Sequence, residues 1–159
     1  MTPTTPPYPR RDPVVTEDRT MSRPYQGWFD EALIPRLNRM PTVAGWKHDT
    51  NGVAGYGATP IEGYAFFGGV YRVSFALRVV QAATTSSSVM VTIAWTEGGV
   101  ARSFSSPALA ANTTAQYSAL SVIVSADPST PITVAVSYAS VGGTPMRYAL
   151  DVYAERMPQ

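Results

Sequence analysis

The residues that could do chemistry are few in this chain and lie far apart. His48, in the stretch WKHDTNG, is the only histidine among 159 residues, and the chain has no cysteine. A single histidine does not supply the set of nitrogen and sulfur ligands that zinc takes from proteins. A serine hydrolase would need His48 as its base, and no G-x-S-x-G turn presents a nucleophile to it. We interpret His48 as a loop residue hydrogen-bonded to a neighbour, and predict no metal, no cofactor and no catalytic residue.

The carboxylates give no better indication of catalysis. A glycosidase needs two facing carboxyl groups, one of them with a raised pKa. The candidates are Glu62, Glu97, Asp127, Asp151 and Glu155. Glu97 and Asp127 lie in turn sequences, where carboxylates often accept bonds from backbone amides. Asp151 alternates with Leu150 and Val152 and is expected on the opposite face of its strand. Because no spacing singles out a pair, we predict that the protein is not an enzyme.

Motifs for other ligands are equally weak. The stretches GVAGYG and EGYAFFGG lack the residue order and the strand-to-helix context of a phosphate-binding loop. Aromatic side chains could stack on sugars, and Tyr56, Tyr64, Tyr117 and Trp46 are candidates without a specific motif. Trp95 alternates with apolar residues, which favours a place in the core.

Charge and hydropathy limit the partners further. Twelve basic and 11 acidic residues give a formal charge of +1, and the adjacent Arg10 and Arg11 are soon followed by acidic residues. Nucleic-acid binding needs a clustered basic surface, so we predict none. The apolar runs fall short of the roughly 18 residues of a membrane span. The N-terminus lacks the apolar segment of a secretory signal. We therefore expect a soluble chain that makes no membrane contact.

Two long alternating runs dominate the elements that must position these residues. In residues 71–80 and 89–96, apolar residues recur at every second place, the period of half-buried antiparallel strands. The predicted buried positions are Tyr71, Val73, Phe75, Leu77, Val79, Val89, Val91, Ile93 and Trp95. A Glu-Gly-Gly turn leads into a hairpin partner at 100–104. Similar runs at 120–124, 132–138 and 148–153 predict an all-β protein, an antiparallel sandwich or barrel.

The sandwich has very few charges, and this bears on its partners. Between residues 71 and 146 the charged side chains are Arg72, Arg78, Glu97, Arg102 and Asp127. A sheet face built of Ser, Thr and Ala is weakly solvated and can lie against neighbouring copies. The low charge therefore favours oligomerisation.

Upstream of the sandwich the composition changes twice. Residues 1–24 contain six prolines and predict an extended arm, either a disordered tail or a segment that orders on a partner. Residues 25–44 carry an apolar stripe at helical spacing, interrupted at Pro35, and predict a short helical docking segment. Residues 45–159 are assigned to the β-sandwich, with a glycine-rich lead-in loop at 45–69. The predicted partner-binding residues are Tyr8, Val14, Val15, Met21, Trp28, Phe29, Leu33 and Leu37.

Three stretches of the chain carry a family resemblance. They are GGVYRVSFALRVVQAATTSSSVMVTIAWTEGGVARS, then NTT, then DPSTPITVAVSYASVGGTPMRYALDVYAERM. They resemble the C-terminal β-domain of virion structural proteins of tailed bacteriophages. More loosely, they resemble trimeric jelly rolls of the tumour-necrosis-factor and complement type. RTMSRPYQGWFDEAL is similar to a short element near the start of phage tail, fibre and head-attachment proteins. Together the resemblance covers about residues 18–157.

The resemblance implies an antiparallel jelly-roll-like β-sandwich. It also implies a non-enzymatic virion component, usually homotrimeric, whose N-terminal part attaches it to the particle. In the trimeric jelly rolls the last strand returns to the trimer axis. This chain has no heptad stalk between arm and sandwich, which favours a decoration, cement or short head-fibre role over a long fibre. The expected partners are further copies of the chain and other virion proteins. An alternative is a receptor-binding tip of a phage tail that binds a host surface glycan through exposed Tyr and Trp.

Overall fold

The structure is a computed structural model that describes residues 23–29, 33, 42–61 and 68–158. It divides into two compact units, residues 1–41 and residues 42–157. The first unit contains a short helix, α1 (Arg23–Trp28). In that unit the side chains of Trp28 and Phe29 meet edge to face, with ring centroids 6.3 Å apart.

The described part of the second unit consists of strands and their connections. The strands are β1 (Thr42–Gly52), β2 (Tyr56–Pro60), β3 (Gly69–Gln81), β4 (Ser87–Glu97), β5 (Val100–Ser105), β6 (Leu109–Ala110), β7 (Tyr117–Ala126), β8 (Thr133–Ser140) and β9 (Arg147–Arg156). Every pairing between them is antiparallel.

The strands form two sheets that pack as a sandwich. One sheet has the order β1-β9-β3-β7; the other has the order β2-β8-β4-β5, with β6 also paired to β4. The chain passes from one sheet to the other at most of its connections, in the manner of a jelly roll. The predicted fold class, an all-β jelly-roll-like sandwich, is confirmed. The two long runs of the sequence, β3 and β4, do not pair with each other but lie in different sheets.

The core lies between the two sheets and follows the period of two in the sequence. On β3, Tyr71, Val73, Phe75, Leu77 and Val79 are all at most 4% exposed, and their neighbours face outward. Val89, Val91 and Ile93 of β4 are buried against them, as predicted. Trp95 is partly buried against this core, and its indole Nε1 is enclosed without a hydrogen-bond partner.

The turn between β4 and β5 is the binding partner of one of the candidate carboxylates, that of Asp127. Gly98 and Gly99 have φ angles of 57° and 75°, the left-handed conformation that a two-residue hairpin turn requires. The Asp127 carboxylate accepts hydrogen bonds from both glycine amides, at 2.8 and 2.7 Å. Asp127 therefore binds backbone amides, as expected for a turn carboxylate. The amides belong to the turn between β4 and β5, not to the turn in which Asp127 itself lies.

The prediction of a glycine-rich loop at 45–69 is wrong for most of the residues that the structure describes in that range. It contains most of β1 and all of β2, and His48 lies on β1, not in a loop. Residues 42–44, which were assigned to the helical segment, are also strand, so the sandwich begins at Thr42. The glycines are accommodated because β1 is an edge strand whose register shifts at Gly45 and again before Gly52. Bulges are where glycine is tolerated in strands.

Gly52 is a position where a side chain is expected to be damaging. A methyl group there would overlap the ring of Tyr148, which is 1% exposed and whose hydroxyl donates to Ala54 O at 2.8 Å. We expect Gly52→Ala to lower the free energy of unfolding by about 1–3 kcal/mol, measured by urea denaturation. Gly57→Ala is the control, because nothing lies within 4 Å of its added methyl group. Equal stability of the two variants would contradict the expectation.

Candidate interaction surface

The outer face of the β1-β9-β3-β7 sheet carries an unusual set of side chains. Register pairs Trp46 with Tyr153, Tyr153 with Ser74, and Ser74 with Ser121, which forms one straight row across all four strands. Directly paired residues share a face of a sheet. We call this surface the four-stranded face. It comprises Val43, Trp46, His48, Arg72, Ser74, Ala76, Arg78, Tyr117, Ala119, Ser121, Ile123, Asp151, Tyr153 and Glu155.

Large apolar side chains are exposed at both sides of this face. On the β1 and β9 side, Trp46 and Tyr153 are 51% and 50% exposed. On β7, at the opposite edge, Ile123 and Tyr117 are 66% and 61% exposed. Single exposed apolar residues are ordinary, but aromatic side chains grouped on one sheet face make this surface a candidate for interaction.

The charges of the face neutralise one another in two clusters. Arg72 Nη1 lies 3.7 Å from Glu155 Oε2. Arg78 donates to Asp151 Oδ2 at 3.2 Å, and His48 Nδ1 is hydrogen-bonded to Asp151 Oδ1. Asp151 is on the outer face of β9, as its alternation with apolar residues predicted, and its side chain is 16% exposed. The face therefore has no net charge while His48 is neutral.

On the other side of β1 lie the partly buried Tyr56 of β2 and the buried Tyr148 of β9. The Tyr56 hydroxyl donates to Asp49 Oδ2 at 3.0 Å, and Lys47 Nζ lies 5.2 Å from the centroid of the Tyr56 ring. Burial, followed by the bond to Asp49, raises the pKa of Tyr56 well above its usual range. Burial and the negative charge of Asp49 raise the pKa of Tyr148 to about 12. Tyr56 packs on the core, so it is a less open candidate for sugar stacking than the sequence indicated.

Alkaline unfolding follows from these pKa values. Both tyrosines have a folded-state pKa above the ordinary value of about 10, so the native state holds their protons more tightly than the unfolded chain does. Their contribution to stability is complete below pH 10 and declines above it; the part that Tyr148 contributes is lost by about pH 12, and the part of Tyr56 continues to decline at higher pH. We expect the melting temperature to fall over this range, and to fall less steeply for Tyr148→Phe. An unchanged slope in that variant would exclude Tyr148 as a cause.

Most of the predicted partner-binding residues lie outside the described part of the chain. This holds for Tyr8, Val14, Val15, Met21 and Leu37, and for the sugar-stacking candidate Tyr64. Among the described ones, Trp28 and Phe29 contact each other, and Leu33 is half-buried. Those residues belong to the first unit, and the four-stranded face belongs to the second.

Tyr153 and Ile123 were not predicted as surface anchors, and Trp46 was a candidate without a predicted place in the fold. Tyr153 and Glu155 follow Asp151 at every second position, so the alternation that placed Asp151 also contained their outward direction. Trp46 had no such pattern, because the strand that presents it was interpreted as a loop. The face as a whole depends on sheet order, which brings β1 and β7 to opposite edges of one sheet.

Known proteins give little further guidance. No family model matches the chain, and no curated protein matches it. Among solved structures it is similar to the CBM22-1–GH10 modules of xylanase 10B from Clostridium thermocellum complexed with xylohexaose. The identity is 10% and the TM-score 0.37, over 76% of this chain and 28% of that one. A similarity of this size says nothing about what the chain binds.

Within the described ranges no three His, Asp or Glu side chains are grouped so that they could hold a metal ion. No helix of the described residues is long and apolar enough to cross a membrane.

Proposed function

We propose that this chain is a structural protein whose β-sandwich forms a homotrimer through the four-stranded face. The observation that carries the proposal is the exposure of large apolar side chains on both sides of that face: the adjacent Trp46 and Tyr153 on one side, and Tyr117 and Ile123, near the two ends of β7, on the other. Aromatic residues and arginine are enriched in the cores of protein interfaces, and the arginines of this face already have acidic partners.

The two sides of the four-stranded face are far enough apart to contact different neighbouring copies. β1 and β7 are three strand spacings apart, about 14 Å. A head-to-tail contact joins two different patches of one chain and closes into a ring when the rotation between copies allows it. The resemblance to trimeric jelly rolls favours this arrangement over a two-fold dimer. In the ring, the aromatic cluster of one copy meets the β7 edge of the next. Central strand β9 then faces the three-fold axis, as the resemblance to trimeric jelly rolls implies.

We further propose that the trimer is a component of a bacteriophage virion in a decoration, cement or head-fibre role. The support is the sequence resemblance together with the jelly-roll-like order of the described strands. Attachment is assigned to the N-terminal arm. Three weak tethers on one trimer bind together with an avidity that a single tether does not reach.

Sedimentation equilibrium of the purified full chain tests the oligomeric proposal. The expected result is a mass of three chains at micromolar concentration, and a monomer throughout the concentration range would overturn it.

Deletion of residues 1–24 tests the role of the arm. The truncated chain is expected to keep the circular dichroism spectrum of the sandwich and to lose binding to virions that lack this protein. Normal decoration by the truncated chain would refute attachment through the arm.

A second candidate is a glycan-binding module, such as a receptor-binding tip of a phage tail. It is favoured by the adjacent, half-exposed rings of Trp46 and Tyr153, with Ser74 next in the same row. Flat aromatic surfaces flanked by hydrogen-bonding groups suit sugar rings. A glycan array probed with the full chain and with Trp46→Ala separates the candidates. Specific binding by a monomer, lost in the variant, would assign the face to a sugar instead of a second copy.

A further inference from the structure

His48, the only histidine of the sequence, lies on the four-stranded face, which is the surface proposed to join the copies. His48 Nδ1 is hydrogen-bonded to Asp151 Oδ1, and Arg78 donates to the other oxygen of the same carboxylate at 3.2 Å. The His48 side chain is 43% exposed, so it is open to solvent in one copy of the chain. Histidine is the side chain whose charge ordinarily changes between pH 5 and 8.

The charge balance of the face changes when this imidazole takes up a proton. The face carries two positive charges, Arg72 and Arg78, and two negative charges, Glu155 and Asp151, and each arginine is already paired. A protonated His48 adds one positive charge that no further carboxylate of the face can balance. Other described groups near β1 do not supply it, because Asp49 lies on the opposite side of the strand and accepts from Tyr56.

We propose that His48 makes the association of the copies acid-sensitive. The inference rests on the proposed trimer. In a ring, three copies of the face surround one axis, so acidification places three unbalanced charges near one another in an environment with little water. Both their repulsion and the loss of hydration oppose assembly. The proton therefore binds more readily to the separated chain, and by linkage the trimer weakens as pH falls.

The test compares the apparent dissociation constant of the full chain at pH 7.5 and pH 5.5 by sedimentation equilibrium. For the natural chain we expect it to rise at least tenfold at the lower pH. His48→Asn is neutral at both values and His48→Lys is charged at both. Each variant is therefore expected to show a pH ratio near one, whatever its affinity at pH 7.5. Circular dichroism at each pH reports whether the sandwich stays folded.

The outcomes separate this inference from the proposed function. A trimer at pH 7.5 with no weakening at pH 5.5 overturns the acid response alone. Parallel weakening of the natural chain and of His48→Asn also overturns it, because the responsible group is then another one. A monomer at pH 7.5 overturns the trimer and the acid response together.

Discussion

Replacing Tyr153 by lysine is expected to convert the trimer into a folded monomer. Tyr153 is in the middle of the aromatic side of the face, between Trp46 and Ser74 in register. Removal of a buried aromatic anchor weakens a protein interface by about 2 kcal/mol or more. A closed ring contains three such interfaces, so the free energy of assembly falls by about 6 kcal/mol. This lowers the formation constant of the trimer about 10⁴-fold.

The same substitution is expected to leave the single sandwich intact. Half of the Tyr153 side chain is exposed, and surface changes of this kind usually alter stability by no more than about 0.5 kcal/mol. Val100→Lys is the matched control, because Val100 is also 50% exposed but lies at the start of β5, away from the face. Sedimentation equilibrium measures the mass, and thermal denaturation measures the fold. If both lysine variants formed trimers of equal affinity, Tyr153 would not be part of the interface.

The strands that could be predicted from sequence are those whose surroundings impose a period of two. β3 and β4 are buried on one face along nearly their whole length, so Tyr71 to Val79 and Val89 to Ile93 alternate cleanly. β1 has no such regularity. It is an edge strand with two register shifts, and its pairing is with β9, whose residues lie far along the chain, as in the pair His48 and Asp151. Local composition, which is rich in glycine, therefore predicted a loop.

Alternation indicates which side of a strand is buried, but it does not indicate which strand lies alongside. For this reason β3 and β4, consecutive in sequence, could not be assigned to separate sheets in advance. The same limit applies to the candidate surface. The outward direction of Asp151 was predictable, but its two partners were not. His48 comes from β1 and Arg78 from β3, one on each side of β9.

Sheet order also decides how the low charge of the sandwich is interpreted. Arg72 and Arg78 lie on the four-stranded face, where they pair with acidic groups of β9. The outward positions of β4 in the other sheet are Met90, Thr92 and Ala94, and Thr92 is hydrogen-bonded to Ser105 of β5 at 2.9 Å. The uncharged face and the aromatic face are thus on opposite sides of the sandwich. The aromatic face is the one that contains potential anchors for a neighbouring copy.

Cross-linking is expected to join copies in closed sets of three when one cysteine is placed on each side of the four-stranded face. The natural chain has no cysteine, so reagents for thiols will react only at introduced positions. Val43 on β1 and Ala119 on β7 are exposed and are separated by the full width of the sheet, about 14 Å or more. A short bismaleimide cannot span them within one chain, so links in the double variant Val43→Cys/Ala119→Cys must join different copies.

The two geometries of association give different patterns on a denaturing gel. In a head-to-tail ring, β1 of each copy lies next to β7 of its neighbour, so the double variant gives bands of two and three chains and none higher. Each single variant has no thiol opposite its own and remains at the mass of one chain. A two-fold contact would instead stop at dimers, in the double variant or in a single one, and an open head-to-tail array would extend the ladder of the double variant beyond three. Either pattern would exclude the ring, because a closed three-fold contact leaves no free patch for a fourth copy.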